Sequence, residues 1–417
     1  MQNKMKVLIC SINEPLVSTI NHYIDAFRRE GHELVTCGPV QGLSSGNLTD
    51  PNAPDFIYNN TAFNQPWVRK YQYNIPIHDR PYPNYYSYQE ILDRCPWKPE
   101  LIVQVEPHFF FRGSRSDRHN IPVAYLTFDN HRGPLVHLDA FRNGDLDKIF
   151  INSFHFMRPY TDQLGADKVV WLPVAANPVL HHPCPDVQEQ CDIAFIGNPG
   201  WMNSGPGYDE WLNKSGVRSQ QPHNDRRFFL WHDESVEMDW QKQMDYAESP
   251  DNIPARLGDA APWEKYNGWE HREYIERAEH LYRLFKDFKM RVYCAIVLQN
   301  YPRAIARGRI GFNCSLGNDI NMKLFEYVSA GKMMVTDYVD GLDQLMPAGA
   351  GWIYYKKYYQ GDNVNFNLDY AEVRGIVDLY LKHEDQRREV AKRGMEYVLK
   401  YHTYQIRVRK IIEEIFK

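Results

Sequence analysis

Short apolar runs alternate with amphipathic segments along this chain. Residues 5–12 (MKVLICSI) predict a buried strand, residues 14–30 repeat apolar positions with helical spacing, and residues 33–37 predict a second strand. A strand–helix–strand order is a βαβ unit, so we expect a parallel sheet covered by helices. The same pattern predicts further strands at 101–105, 123–128, 148–152 and 168–172.

The pattern restarts after residues 173–190, which hold four prolines and predict an interdomain linker. Residues 192–196 predict a strand that ends in a turn at Gly197-Asn198. Residues 201–269 are polar and Trp-rich and are expected to be an insertion or a lid. Later segments predict strands at 291–297, 310–313, 333–336 and 352–355 and helices at 370–382, 384–400 and 403–416. Two α/β domains are therefore expected, at 1–175 and 190–400.

Composition narrows the function classes only slightly. The chain has 417 residues and a net charge of −5, so no global attraction to nucleic acid or anionic membrane is expected. The seven cysteines never form a Cys-x-x-Cys pair, which argues against a zinc site or a disulfide framework. No signal-peptide pattern and no apolar run near 18 residues are present, so a cytoplasmic location without a transmembrane segment is expected.

The segment 311–337 carries the sharpest chemical pattern. A strand ends at Asn313, a Gly/Asn/Asp turn follows, and a helix is expected from about Met322 to Ala330, with Gly331 as its stop. The N–H groups that begin such a helix attract anions, whereas Lys323 in the first turn opposes the helix dipole unless an anion is bound. Glu326 lies one turn further on and suits ribose hydroxyls. The alternative is an ordinary surface ion pair between Lys323 and Glu326.

This segment resembles the nucleotide-binding motif of retaining GT-B glycosyltransferases of group 1, and in particular the spore-maturation CgeB-like group. The matching residues are Asn321-Met322-Lys323-Leu324-Phe325-Glu326, then Ser329-Ala330-Gly331, then Thr336-Asp337. Looser likeness extends over most of the chain, at residues 123–131, 192–197 and 402–407. Two positions depart from the family pattern, because Lys323 replaces an Arg and Asn318 replaces the first of two Glu eight residues apart.

The resemblance implies two Rossmann-like, doubly wound domains facing across a cleft, with residues 403–417 crossing back to the first domain. The second domain would bind a nucleoside diphosphate sugar, with UDP preferred and GDP as the alternative, and no obligatory metal. The expected donor-binding residues are Gly197, Asn198, Asn318, Asp319, Asn321, Lys323 and Glu326. Asp129 and His131, after a predicted strand, are expected to act with Lys323 in catalysis, either by contacting the sugar or by helping to deprotonate the acceptor. The alternative is an Asx turn at Asp129 with a solvent-facing His131.

The first domain would hold the acceptor. Its candidate contacts are aromatic or polar residues in loops: Trp67, Tyr71, Tyr85, Tyr86, Glu106 and His108. The acceptor itself stays open among a glycan, a protein, a small metabolite and a modified nucleic-acid base, and the oligomeric state stays open too. His181-His182 is assigned to the linker, since adjacent histidines do not face one metal well. Rival functions are an epimerase or hydrolase on the same fold, a Rossmann oxidoreductase, and a binding protein without activity.

Overall fold

The computed structural model describes a large part of the chain. It covers residues 4–10, 19–37, 74–75, 86–105, 111–112, 114–128, 146–197, 276–277, 280–281, 283–293, 301–316, 318–360, 363–364 and 366–417. Two compact units are present. Among the described residues, the first unit comprises those up to Val174 together with Tyr404–Lys417, and the second comprises Ala175 to Thr403.

The first unit is built on a seven-stranded sheet of order β3-β2-β1-β5-β7-β8-β9, in which neighbouring strands are parallel. The strands are nearly continuous apolar runs because both faces of a parallel sheet are covered. The strands of the unit are β1 Lys6–Cys10, β2 Glu33–Cys37, β3 Asn74–Ile75, β4 Tyr86–Ser87, β5 Leu101–Val105, β6 Phe111–Arg112, β7 Val123–Thr127, β8 Lys148–Ile151 and β9 Val169–Trp171, with β4 and β6 forming a separate pair.

The second unit contains a five-stranded parallel sheet of order β11-β10-β12-β13-β14. Its strands are β10 Cys191–Ile196, β11 Met290–Tyr293, β12 Gly308–Asn313, β13 Met333–Asp337 and β14 Trp352–Tyr355, and a hairpin of β15 Tyr359–Gln360 and β16 Asn363–Val364 follows. The chain order reverses between β10 and β12. In open α/β sheets the crevice at such a reversal, outside the carboxyl ends of the strands, is where ligands bind.

Helices cover both sheets. They are α1 Thr19–Arg29, α2 Tyr88–Leu92, α3 Met157–Leu164, α4 Tyr301–Arg307, α5 Met322–Ser329, α6 Leu342–Leu345, α7 Phe366–Lys382, α8 Glu384–Tyr401 and α9 Tyr404–Ile415, with a 3₁₀ turn at Phe154–Phe156. Helical residues also occur at 276–277, 280–281 and 283–287. Among the described residues, no helix is both long enough and apolar enough to cross a membrane.

The C-terminal helix α9 belongs to the first unit. Tyr404 packs against two rings of α1, stacking on His22 with centroids 4.9 Å apart and meeting Tyr23 edge-on at 5.0 Å. The buried Arg407 donates to the carbonyl oxygens of Pro173 at 2.6 Å and Val174 at 3.2 Å. Arg407 therefore satisfies backbone carbonyls at the point where the chain leaves the unit, which a shorter side chain on α9 would not reach.

The predicted α/β class with two parallel sheets is confirmed. Strands expected at 33–37, 101–105 and 352–355 have those bounds, whereas the helix expected over 14–30 is described only from Thr19. Helix α4 is absent from the sequence-based prediction because it has seven residues and contains Pro302. Proline is tolerated in the first turn of a helix, where its missing N–H would have no intrahelical partner, so α4 can form.

Candidate functional site

The reversal point of the second sheet lies between β10 and β12. Strand β10 ends at Ile196, and Gly197 follows with a φ of +126°, a conformation that a side chain would strain. Strand β12 ends at Asn313, and the chain then turns through residues 314–321 into α5. The two segments that sequence analysis assigns to the donor thus come together at one edge of the sheet.

Helix α5 begins after Asn321 without a side-chain cap. The backbone of Asn321 has the extended conformation of an N-cap, but its amide donates to Asn313 Oδ1 at 3.2 Å instead of bonding the first turn. Asn313 in turn donates to Thr336 Oγ1 at 3.0 Å, which connects the ends of β12 and β13. This amide network fixes where the helix starts and leaves its positive end unneutralised by a capping oxygen.

Lys323, in the first turn of α5, projects onto the end of β10. Its Nζ lies 4.3 Å from the centroid of the buried Phe195 ring, an arrangement that favours a cation. A Cβ atom on Gly197 would lie 2.7 Å from Lys323 Cε and 2.8 Å from Nζ. The absence of a side chain at Gly197 is therefore what lets the ammonium group occupy this position.

The surroundings of Lys323 do not neutralise its charge. Burial, followed by the nearby Arg277 guanidinium, lowers the pKa of the Lys323 ammonium well below its usual value, although Glu326 acts in the opposite direction. Arg277 is itself buried and donates to the Cys314 carbonyl at 2.9 Å through Nε and 2.7 Å through Nη2. Within the described part of the chain, Lys323 forms no ion pair with a carboxylate. An anionic ligand would supply the missing negative charge.

Glu326 is buried on the next turn of α5, with 5 % of its surface exposed, so the alternative of a surface ion pair is wrong. Its Oε2 accepts the phenolic hydrogen of Tyr301 at 2.5 Å, and its Oε1 lies 3.5 Å from His181 Nε2. Burial lowers the pKa of His181 to about 3, so this imidazole is neutral near pH 7. The Glu326 carboxylate therefore lies beside the side chains of Tyr301 and His181 and not on a solvated face.

Asn318 stands at the position where the family pattern has a glutamate. It has a φ of +56°, which asparagine tolerates better than most residues. Its amide donates to Asp340 Oδ2 at 3.2 Å, and the Asp340 N–H donates back to Asn318 Oδ1 at 3.1 Å. Asn318 therefore ties the turn before α5 to the loop after β13. The neighbouring Asp319 is buried in the same turn.

Asp337, the last residue of the motif, has a structural partner. Its Oδ1 accepts the Ser315 N–H at 2.8 Å, and its Oδ2 lies 3.1 Å from Lys357 Nζ. The same ammonium lies 3.3 Å from Glu276 Oε2. Despite the cost of burial, these carboxylates raise the pKa of Lys357 well above its usual value. The cluster fixes the start of the turn that leads to α5.

Several predicted site residues fall outside the described residues. These are Asn198, Trp67, Tyr71, Tyr85, Glu106, His108, Asp129 and His131, and only the backbone of Tyr86 is described, in β4. Among the described candidates, Gly197, Asn321, Lys323 and Glu326 lie on the elements that meet at the reversal point, with Asn318 and Asp319 in the turn beside them. Their roles stay predictions.

The sequence pattern does not point to Tyr301, His181 or Lys357. It places His181 in the linker, but only 2 % of the His181 surface is exposed and the residue lies beside Glu326. Tyr301 begins a short helix with no periodic pattern, and Lys357 follows an edge strand. Tyr301 and His181 lie 25 and 145 positions before Glu326, and Lys357 lies 20 positions after Asp337. Pairs this far apart along the chain cannot be recognised from local spacing.

Residues 257–413 match a protein-family model described as "Glycosyl transferase-like". The matched segment includes the motif at 321–337, so it agrees with the resemblance to group 1 glycosyltransferases. None of the curated proteins matches the chain.

Solved structures cover nearly the whole chain at low identity. Sucrose-phosphate synthase from Thermosynechococcus elongatus superposes with a TM-score of 0.52 at 12 % identity, over 99 % of each chain. The Anabaena protein HepE, in complex with UDP and glucose, gives 0.51 at 11 % identity over 98 % of each chain. An α-glucosyltransferase in complex with UDP and a 13-mer DNA gives 0.50 at 10 % identity over 100 % of each chain. This chain has the GT-B fold.

Proposed function

We propose that this protein is a glycosyltransferase that moves a sugar from a nucleoside diphosphate sugar to an acceptor. The observation that carries the proposal is the Lys323 ammonium, which is packed against Phe195 and the Gly197 backbone at the uncapped start of α5. A partly buried cation at the positive end of a helix is unfavourable by itself and suits a diphosphate. The family match and the fold support the same donor class.

Each chemical group of the nucleoside diphosphate sugar has a candidate contact residue. Lys323 and the N-terminal N–H groups of α5 would bind the diphosphate, and Glu326 would accept hydrogen bonds from the ribose hydroxyls. Gly197 and Asn198 would allow the phosphates or the sugar to approach the backbone, while Asn318, Asp319 and Asn321 shape the turn around them. We favour UDP over GDP because two of the similar structures were solved with UDP bound.

In the proposed reaction the bond between the anomeric carbon and the diphosphate oxygen breaks, and an acceptor hydroxyl bonds to that carbon and loses its proton. The leaving diphosphate gains negative charge, which Lys323 and the helix terminus would stabilise without an obligatory metal. We further propose that Asp129 and His131 serve the sugar or the acceptor, and that the anomeric configuration is retained. Candidate acceptor contacts are Trp67, Tyr71, Tyr85, Tyr86, Glu106 and His108.

A binding protein without transferase activity is the second candidate. The observation that favours it is Asn318, whose amide is engaged with Asp340 at the position where related retaining families have a glutamate. Such a protein would bind the donor with the same Lys323 and Glu326 but would release no nucleoside diphosphate.

Calorimetric titration with UDP-glucose, UDP-N-acetylglucosamine and GDP-mannose, followed by an assay of nucleoside diphosphate release, separates these functions. We expect the wild-type protein to bind one of these donors and Glu326→Ala to lose that binding with the fold intact by circular dichroism. Unchanged donor binding by Glu326→Ala would sink the assignment of this residue. Donor binding without turnover on any glycan, protein, metabolite or modified base would favour the binding protein.

A further inference from the structure

Tyr301 contacts the Glu326 carboxylate of the proposed donor site. It is the first residue of α4, and its hydroxyl donates to Glu326 Oε2 at 2.5 Å. Burial, and then the adjacent Glu326, raise the pKa of the Tyr301 phenol. The hydroxyl therefore keeps its proton, and remains a donor, at neutral pH.

His181 closes the other side of the carboxylate. Its ring meets Tyr301 edge-on with centroids 5.4 Å apart, and its Nε2 lies 3.5 Å from Glu326 Oε1. The His181 carbonyl accepts the Ser329 hydroxyl at 2.6 Å, which connects this segment to the last turn of α5. The His181 segment, which contacts Glu326, is therefore held to α5, the helix that carries Glu326.

This geometry restricts how Glu326 can present its oxygens. A free glutamate has three rotatable bonds, and fixing such a side chain costs up to about 2 kcal/mol of conformational entropy. A carboxylate offers roughly four acceptor positions, of which Tyr301 uses one on Oε2. The bond from Tyr301 to Oε2 and the His181 ring facing Oε1 restrict the rotation of the carboxylate before any ligand arrives, and so restrict the directions in which its oxygens can accept hydrogen bonds.

We propose that Tyr301 is a positioning residue for ribose recognition, which it controls by orienting Glu326. A vicinal diol needs two acceptor directions at once, so an oriented carboxylate distinguishes a ribose from a deoxyribose better than a rotating one. The inference rests on the proposed function, because it takes Glu326 to be the ribose contact.

The test compares UDP with 2′,3′-dideoxy-UDP by calorimetry, so it needs neither the donor sugar nor the acceptor. In the wild-type protein we expect the loss of both hydroxyls to weaken binding by about 100-fold. In Tyr301→Phe, UDP should bind about tenfold more weakly while dideoxy-UDP binds nearly as before, so the ratio of the two dissociation constants shrinks to about 10. In Glu326→Ala the ratio should approach 1.

Tyr327→Phe is a matched control. Tyr327 is also buried on α5, and its hydroxyl donates to the Ala194 carbonyl at 3.2 Å instead of to Glu326. Removing one buried hydroxyl costs about 1 kcal/mol, which a domain stable by roughly 5–15 kcal/mol tolerates, so both variants should fold. The control should keep the wild-type discrimination of about 100-fold.

The possible outcomes distinguish a failure of the positioning role of Tyr301 from a failure of the ribose role of Glu326. An unchanged ratio in Tyr301→Phe overturns the positioning role, as does an equal weakening of UDP and dideoxy-UDP, which would show that Tyr301 only supports the fold. A wild-type protein that binds UDP and dideoxy-UDP equally, or Glu326→Ala that keeps the discrimination, refutes the ribose role of Glu326 instead. If wild type binds no nucleoside diphosphate, the proposed function itself fails.

Discussion

Two partly buried lysines lie at the carboxyl edge of the second sheet, and their environments are opposite. Lys357 lies 3.1 Å from Asp337 and 3.3 Å from Glu276, and its pKa is raised. Lys323 lies over Phe195 near Arg277, and its pKa is lowered. The two residues share charge, sheet edge and chemical type, so the difference comes from what the fold places around each ammonium group.

Lys357 is a structural cation, whereas Lys323 is a candidate ligand-binding cation. Lys357 compensates carboxylates that would otherwise be buried without a counter-charge, and through Asp337 it holds the backbone of Ser315. Lys323 offers a charge that the described residues leave uncompensated, and this is what an anion-binding site requires. Substituting the two lysines should therefore damage different properties of the protein.

The largest effect is expected from Lys357→Met. The substitution leaves Asp337, which is fully buried, without its cation, and breaking a buried pair in this way costs about 3–5 kcal/mol. The free energy of unfolding from urea denaturation should fall by this amount. The double variant Lys357→Met/Asp337→Asn should recover part of the loss, because the asparagine carries no charge and can still accept from Ser315. No loss in the single variant would contradict the structural role of Lys357.

Lys323→Met should affect binding and not stability. Methionine fits beside Phe195 and removes an uncompensated charge, so the melting temperature should stay the same or rise. Loss of a charge-assisted contact to a diphosphate is worth about 1.5–3 kcal/mol, which corresponds to roughly 10- to 150-fold weaker donor binding. Calorimetry and thermal unfolding of the same sample measure both quantities. A Lys323→Met protein that is destabilised but keeps wild-type donor affinity would assign Lys323 a structural role instead.

Gly197→Ala tests whether the position of Lys323 depends on the missing side chain. A Cβ atom would lie 2.7 Å from Lys323 Cε, so the ammonium must move, and we expect donor affinity to fall about tenfold. Gly349→Ala is the matched control, since Gly349 also has a positive φ, +68°, but its Cβ would meet no atom within 4 Å. The control should lose some stability through backbone strain and keep its affinity. Equal affinity losses in both variants would exclude the displacement of Lys323 as the cause.

The smallest expected effect is on the change of stability with pH, which has opposite signs for Lys323 and Lys357. The lowered pKa of Lys323 means that the folded state binds fewer protons than the unfolded state, so stability should rise with pH between that lowered pKa and about 10.5. Donor affinity should fall over the same range, because the diphosphate prefers the ammonium form.

Lys357 has the opposite sign, because its stabilising effect is complete below about 10.5 and is lost as pH rises through its raised pKa. Urea denaturation between pH 7 and about 10.5 measures the Lys323 slope, and denaturation above about pH 10.5 measures the Lys357 slope. Lys323→Met should abolish the rise, and an unchanged slope in that variant would show that the Lys323 ammonium is not perturbed.

Much of the fold followed from local patterns. The apolar runs predicted strands at 33–37, 101–105 and 352–355, and the spacing around Gly331 predicted the helix that begins at Met322. The sequence does not reveal α3 and α4, because each has eight residues or fewer and contains a proline, so neither shows a periodic pattern and both depend on packing for stability.

The sequence by itself determined which residues of the motif share a helix face, because helical spacing places Lys323 and Glu326 on neighbouring turns of one face of α5 whatever the rest of the chain does. Only the tertiary structure decided what surrounds them. Parallel pairing brings Gly197 under Lys323, and packing of α4 brings Tyr301 to Glu326. These contacts join distant segments through burial and hydrogen bonding, which depend on the folded chain and leave no periodic trace in the sequence.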